Sequence, residues 1–81
     1  MQQQEVIAKL QEVFDGAFLQ RVEVSPELSA RDVEEWDSLT HVSLIIAVEQ
    51  AFGIRFRVGE VEGTKNVGDL ADLIVKRLSK G

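Results

Sequence analysis

The residues best suited to chemistry in this 81-residue sequence lie together, in the run from Glu35 to Val42. Asp37 precedes Ser38, and His41 follows three positions later. Positions three apart are neighbours on a helix, so Ser38 and His41 could pair as a nucleophile and its base. A hydrolase also needs an oxyanion site and a substrate pocket, which so small a chain is not expected to supply. We therefore expect no enzyme activity, with His41 as a partly buried packing residue.

The same run lies where a helix is expected to begin. Helix two is predicted from about Ser38 to Phe52, with Asp37 or Ser38 as its N-cap and Gly53 as its end. Serine is among the commonest N-cap residues, so a purely structural role for Ser38 stays open at this point.

Helix two has more apolar residues than a simple surface helix needs. They form one stripe that can pack inward, Leu44, Ile45, Val48 and Phe52, and a second of Leu39, Val42 and Ile46. The second stripe would be left exposed beside the start of the helix. Exposed apolar patches of this kind often mark interaction sites.

Two further helices are predicted to hold this segment in place. Apolar residues repeat at helical spacing from Val6 to Phe18, which predicts helix one over about residues 3–20. The last helix should begin after an Asn66 cap, with Lys76, Arg77 and Lys80 near its end. A long acidic loop with a turn at 25–27 joins the first two helices, and a short helical turn is expected near 60–63. We expect an all-α fold, a small four-helix bundle with three main helices and one short one, forming a single domain over 1–81.

Composition narrows the classes of partner. There are 14 acidic residues against 9 basic ones, a net charge of −5, which disfavours nucleic acid and anionic membranes and favours basic protein partners. There is no cysteine, so neither a disulfide nor a thiolate metal site is possible, and a lone histidine does not make a metal site. No apolar run approaches a membrane span, and the first residues do not resemble a signal peptide. We expect a monomeric, cytoplasmic protein. Its ends suggest a freestanding chain, and a module cut from a larger synthase stays open as the alternative.

The motif Asp37-Ser38-Leu39 resembles the modification motif of the acyl carrier protein family. The resemblance covers nearly the whole chain, because the spacing from Ser38 to Phe52-Gly53, the following short element and the start of the last helix at 66–70 also match. It implies that a phosphopantetheinyl transferase attaches 4′-phosphopantetheine from coenzyme A to the Ser38 hydroxyl. The arm ends in a thiol that holds an acyl cargo as a thioester. The positive end of a helix would also suit the phosphodiester.

The resemblance also implies roles for the neighbouring residues. Asp37 would cap the helix and help the transferase to position its magnesium ion. Leu39, Val42 and Ile46 would form a docking patch for acyl-loading and acyl-using enzymes, whose basic docking surfaces would meet Glu49. Carriers of fatty acid synthesis usually have acids after the motif and along the second helix, where this chain has Thr40, Ser43, Gln50 and Ala51. This difference favours a specialised carrier over a housekeeping one.

Two other functions stay open from the sequence. A peptidyl or aminoacyl carrier, including a D-alanyl carrier, would use the same serine. An unmodified helical interaction domain would use only the apolar patch of Leu39, Val42 and Ile46. An inner apolar cavity would favour acyl cargo, and a fully packed core would favour a peptidyl or aminoacyl load.

Overall fold

The computed structural model describes residues 2–57 and 59–79, which fold into a helical bundle. Within these residues the chain forms α1 (Gln3–Ala17), α2 (Ser38–Phe52) and α3 (Val67–Ser79), with two 3-10 turns at Ala30–Asp32 and Val61–Gly63 and no strand. The all-α prediction is confirmed, and the short fourth element is the 3-10 turn at Val61–Gly63. The predicted position of Lys80 near the end of α3 lies outside the described residues.

The core forms because each helix contributes one apolar face. α1 packs against both α2 and α3. The buried side chains come from α1 (Val6, Leu10, Phe14), α2 (Leu44, Val48, Phe52), α3 (Val67, Leu70, Ala71, Ile74) and the loop (Phe18, Val22, Val33). Burying apolar surface is the main favourable contribution to folding in a domain of this size. Within the described residues, no helix has both the length and the hydrophobicity that a membrane-spanning helix needs.

The predicted end of α1 at residue 20 is wrong, because the helix stops at Ala17. Phe18 adopts an extended backbone conformation, with φ −117° and ψ 145°, which brings its ring into the core at 4% exposure. The next two N–H groups, of Leu19 and Gln20, donate to the Glu35 carboxylate at 3.1 and 2.8 Å instead of continuing the helix. Leu19, which follows the buried Phe18, is almost fully exposed.

The long loop between α1 and α2 is held at several points. The Gln11 side chain on α1 donates to the Val22 carbonyl at 2.7 Å and accepts from the Val24 N–H at 2.9 Å. Further along, the Pro26 carbonyl accepts from the Gly68 N–H at 2.9 Å, at the start of α3. A Cβ at position 68 would lie 3.0 Å from that carbonyl oxygen, so this close approach favours glycine.

Candidate functional site

The site begins at the first turn of α2, whose cap is Asp37. This residue has an extended backbone, and its Oδ1 accepts a hydrogen bond from the Thr40 N–H at 2.9 Å. That hydrogen bond is the main cause of a pKa below the ordinary value for the Asp37 carboxyl. Ser38 is then the first helical residue and not the cap, and it is exposed. Ser38 therefore does not serve as the N-cap, the structural role that the sequence left open for it.

The hydrolase arrangement considered from the sequence does not form. His41 Nδ1 accepts a hydrogen bond from the Trp36 indole N–H at 3.0 Å, and the Asp37 carboxylate is engaged by the Thr40 backbone. His41 and Asp37, which would be the base and the acid of a catalytic triad, thus both hydrogen-bond to other groups. Among residues 2–57 and 59–79, no group of histidine and acidic side chains is arranged to hold a metal ion.

The segment that leads into Ser38 is fixed on both sides. Glu35 holds the chain that leaves α1 through its two hydrogen bonds there, while the Trp36 ring packs against Phe14 with centroids 5.4 Å apart, edge to face. Through this contact Trp36 anchors the end of the loop on α1. Residue 38 is consequently presented at the start of a helix and not on a free loop.

The three residues predicted to form a docking patch lie exposed on one side of α2. Leu39 is 82% exposed, Val42 58% and Ile46 49%. Beside them a shallow recess of about 210 Å³ opens between α2 and the residues Arg57, Gly59, Val61 and Glu62, with Ile45 also in its wall. The inner stripe of α2 is buried as predicted at Leu44, Val48 and Phe52.

Glu49 has a structural contact that the sequence did not predict. Its carboxylate accepts a hydrogen bond from the Phe56 N–H at 2.8 Å, which holds the chain that leaves α2. α2 itself ends at Gly53, whose left-handed backbone (φ 65°) lets its N–H donate to the Glu49 carbonyl.

The comparisons with known proteins agree with this geometry. A family model described as the phosphopantetheine attachment site matches residues 4–74. The chain belongs to the acyl carrier protein family. It is 35% identical to an acyl carrier protein of Acidothermus cellulolyticus over 75 residues, which cover 91% of this chain and 89% of that one. It is 33% identical to the meromycolate extension acyl carrier protein of Mycolicibacterium aurum, with 91% of this chain and 77% of that one covered.

A solved structure extends the likeness to the fold. The solution NMR structure of the holo acyl carrier protein from Geobacter metallireducens matches with a TM-score of 0.76 at 38% identity, covering 96% of this chain and 86% of that one. The family's cofactor is a covalently attached 4′-phosphopantetheine, whose terminal thiol holds the acid as a thioester. The start of α2 fits such a group, because it combines an exposed hydroxyl with the positive end of a 15-residue helix.

Two structural contacts near the site were missed by reasoning from the sequence. The sequence indicated only an acidic loop before α2, whereas the Glu35 carboxylate accepts two backbone hydrogen bonds from the residues that follow α1. The bond between Trp36 and His41 was also missed. The five-residue separation of these two was the available signal, because it places them on either side of the predicted helix start.

Proposed function

We propose that Ser38 is the residue to which the 4′-phosphopantetheine is attached, and that the chain presents cargo without catalysing a reaction itself. The observation that carries the proposal is the division of roles at the start of α2, where Asp37 caps the helix and Ser38 is left exposed. In the transfer, the Ser38 oxygen forms a bond to the phosphorus that bears the pantetheine in coenzyme A. The pyrophosphate bond breaks, adenosine 3′,5′-bisphosphate leaves, and the hydroxyl proton passes to a base of the transferase or to solvent.

The attachment is tested by incubating the chain with coenzyme A, magnesium and a phosphopantetheinyl transferase and recording its intact mass. We expect a gain of one phosphopantetheine for the wild type and none for Ser38→Ala. Ser43→Ala is the matched control, because Ser43 is also an exposed serine of α2 and should leave the gain unchanged. A gain that persists in Ser38→Ala would place the attachment elsewhere.

We further propose that the patch of Leu39, Val42 and Ile46 receives the partner enzymes. Its support is the combined exposure of three large aliphatic side chains beside the modification site, which is unusual for a surface with no role. Exposed acids before Ser38, such as Glu34 and Asp37, lie within four residues of the attachment point. They would meet basic rims on those partners, while Glu49 combines any such role with its hold on Phe56.

An acyl cargo is favoured over an aminoacyl or peptidyl one. The support is the likeness to acyl carrier proteins, together with a shallow apolar recess beside α2 whose walls include Val42, Ile45 and Ile46. This recess lies at the surface and is not an inner cavity. An apolar chain would gain by leaving water there, whereas a charged amino acid would not. Loading the holo chain with a medium fatty acid should shift the NMR signals of Val42 and Ile45, and loading with alanine should not. Equal shifts with both loads would contradict the preference.

A specialised pathway remains our preferred setting, with a cytoplasmic location. Along α2 the exposed or half-exposed positions 40, 43, 50 and 51 lack acids, and Arg55 and Arg57 follow directly after the helix. Charge at a docking surface mainly sets partner choice and association rate. A housekeeping ketosynthase should therefore use the acyl-loaded chain with a lower kcat/KM than its own carrier. Equal values would contradict the specialised role, and fractionation of the producing cells would test the location.

A further inference from the structure

The contact between Trp36 and His41 spans the modification site. Trp36 lies two residues before Ser38 and His41 three residues after it. The indole Nε1–H donates to His41 Nδ1 at 3.0 Å, and the two rings are nearly parallel, with centroids 6.2 Å apart and planes at 22°. The hydrogen bond therefore closes a short loop of chain that contains the Asp37 cap and Ser38.

The other side of Trp36 is anchored in the bundle. Its ring packs edge to face on the fully buried Phe14, and it lies 6.0 Å from the Phe18 ring with the planes at 57°. Aromatic pairs at such distances and tilts add to the stabilisation from area alone. Through Trp36, the bond to His41 thus fastens the first turn of α2 to the end of α1.

This bond depends on the protonation state of His41. An indole N–H can only donate, so Nδ1 must carry its lone pair, and the neutral ring must carry its proton on Nε2. Protonation would place an N–H at Nδ1, facing the indole N–H, and the hydrogen bond would be lost. Unperturbed histidine side chains change charge between about pH 5 and 8, and this is the range over which the bond can be tested.

One charged neighbour of His41 is Asp37, the cap of α2, whose carbonyl accepts a hydrogen bond from the His41 N–H at 2.8 Å. The others come from the segment between α2 and α3. His41 lines two recesses. Lys65 also lines the one of about 70 Å³, and Arg57 and Glu62 also line the one of about 210 Å³. Phe14 of α1 and Phe18 just after it face the pair, and Asn66 and Leu70 lie at the start of α3, all of them uncharged. Lys65, Arg57 and Glu62 are exposed, so moderate salt would screen their influence on the imidazole.

We propose that neutral His41 is a positioning residue for the modification of Ser38, which holds the start of α2 in its reactive orientation through Trp36 and releases it on protonation. The inference rests on the proposed attachment at Ser38. When the bond is lost, only a fraction of the molecules presents Ser38 correctly, and the apparent kcat/KM of the transferase falls by that fraction.

NMR tests the bond directly, without any modification. Long-range nitrogen–proton spectra of the neutral chain should show His41 with its proton on Nε2. Trp36 is the sole tryptophan in the chain, so its indole N–H gives a single NMR signal. The chemical shift of this signal should change as His41 is protonated. An Nδ1–H tautomer, or an indole N–H chemical shift that does not change as His41 is protonated, would overturn the proposal.

The transferase assay tests the consequence for Ser38, in moderate salt. His41→Gln is the rescue variant, because its amide oxygen can accept the indole N–H and does not titrate. His41→Leu removes the acceptor, and Trp36→Phe removes the donor while keeping an aromatic ring. At pH 8 we expect His41→Gln to be modified about as fast as the wild type, and the other two about threefold or more slowly, the effect of losing one ordinary hydrogen bond.

The pH profile separates positioning from simple stability. The ratio of the wild-type rate to the His41→Gln rate cancels the transferase's own pH dependence, and it should fall about threefold or more from pH 8 to pH 5.5. A flat ratio in a chain that is modified at Ser38 would overturn the positioning role and leave the attachment intact. A wild type that gains no group at any pH would instead overturn the proposed function, whatever the tautomer.

Discussion

Leucine occurs on both faces of α2, and replacing each one with alanine separates packing from docking. Leu44 is completely buried, and Leu44→Ala should lower the free energy of unfolding by about 2–5 kcal/mol, through lost transfer energy and the cavity left behind. A domain of 81 residues has a total stability of about 4–12 kcal/mol, so this variant would be close to unfolding. Leu39 is 82% exposed, and Leu39→Ala should change that free energy by less than about 0.5 kcal/mol.

The effect on modification by the transferase should be large for Leu39→Ala, the variant whose stability is nearly unchanged. If Leu39 is part of the docking patch, Leu39→Ala should lower the transferase kcat/KM about fivefold or more, as the loss of about 1 kcal/mol of contact would. Urea titrations followed by far-ultraviolet circular dichroism give the stabilities, and initial rates at low carrier concentration give kcat/KM. An Leu39→Ala chain with unchanged stability and an unchanged rate would refute the docking role. Equal losses of stability in both variants would refute the assignment of the two faces.

Three further predictions concern local contacts. Asp37→Ala removes the acceptor for the Thr40 N–H and should lower the urea midpoint at neutral pH, whereas Asp37→Asn should keep most of it. This bond lowers the pKa of Asp37 below its ordinary value of 3.8, so its stabilisation is present above that value and is lost as pH falls through the lowered pKa. The difference in stability between wild type and Asp37→Ala should therefore disappear in acid. A difference that stays constant with pH would contradict the assignment. Gly53 has φ 65°, so Gly53→Ala should lower the free energy of unfolding in urea titrations by about 1 kcal/mol, and Gly53→Asn should lower it by less. An unchanged urea midpoint for Gly53→Ala would exclude backbone strain there. The Arg77 guanidinium lowers the pKa of the Glu60 carboxyl below 4.5, so in an NMR titration Arg77→Gln should move that midpoint upward, and an unmoved midpoint would rule out the ion pair as its cause.

The helices could be predicted from the sequence because their apolar spacing is regular. α2 was placed at Ser38–Phe52, as the structure has it, since Asp37 and Gly53 are strong signals for a start and an end. The exposure of Leu39, Val42 and Ile46 followed from the same periodicity, because one helix can bury only one broad face.

The contacts that hold the site could not be predicted, since they join residues distant in sequence or depend on rotamers. The early end of α1 depends on Glu35, which lies 15 and 16 residues beyond the N–H groups it accepts from. The close approach of Gly68 to the Pro26 carbonyl is equally invisible to local patterns. The hydrogen bond of Trp36 to His41 requires both the turn at 37 and two particular side-chain orientations.

Mapping the attached group by tandem mass spectrometry tests the central claim most directly. After treatment with coenzyme A and a transferase, trypsin should release the peptide of residues 32–55, which contains both Ser38 and Ser43. Fragment ions that separate the two positions should place one phosphopantetheine on Ser38. A group on Ser43 or in another peptide, or no group on a chain that is folded by circular dichroism, would contradict the account.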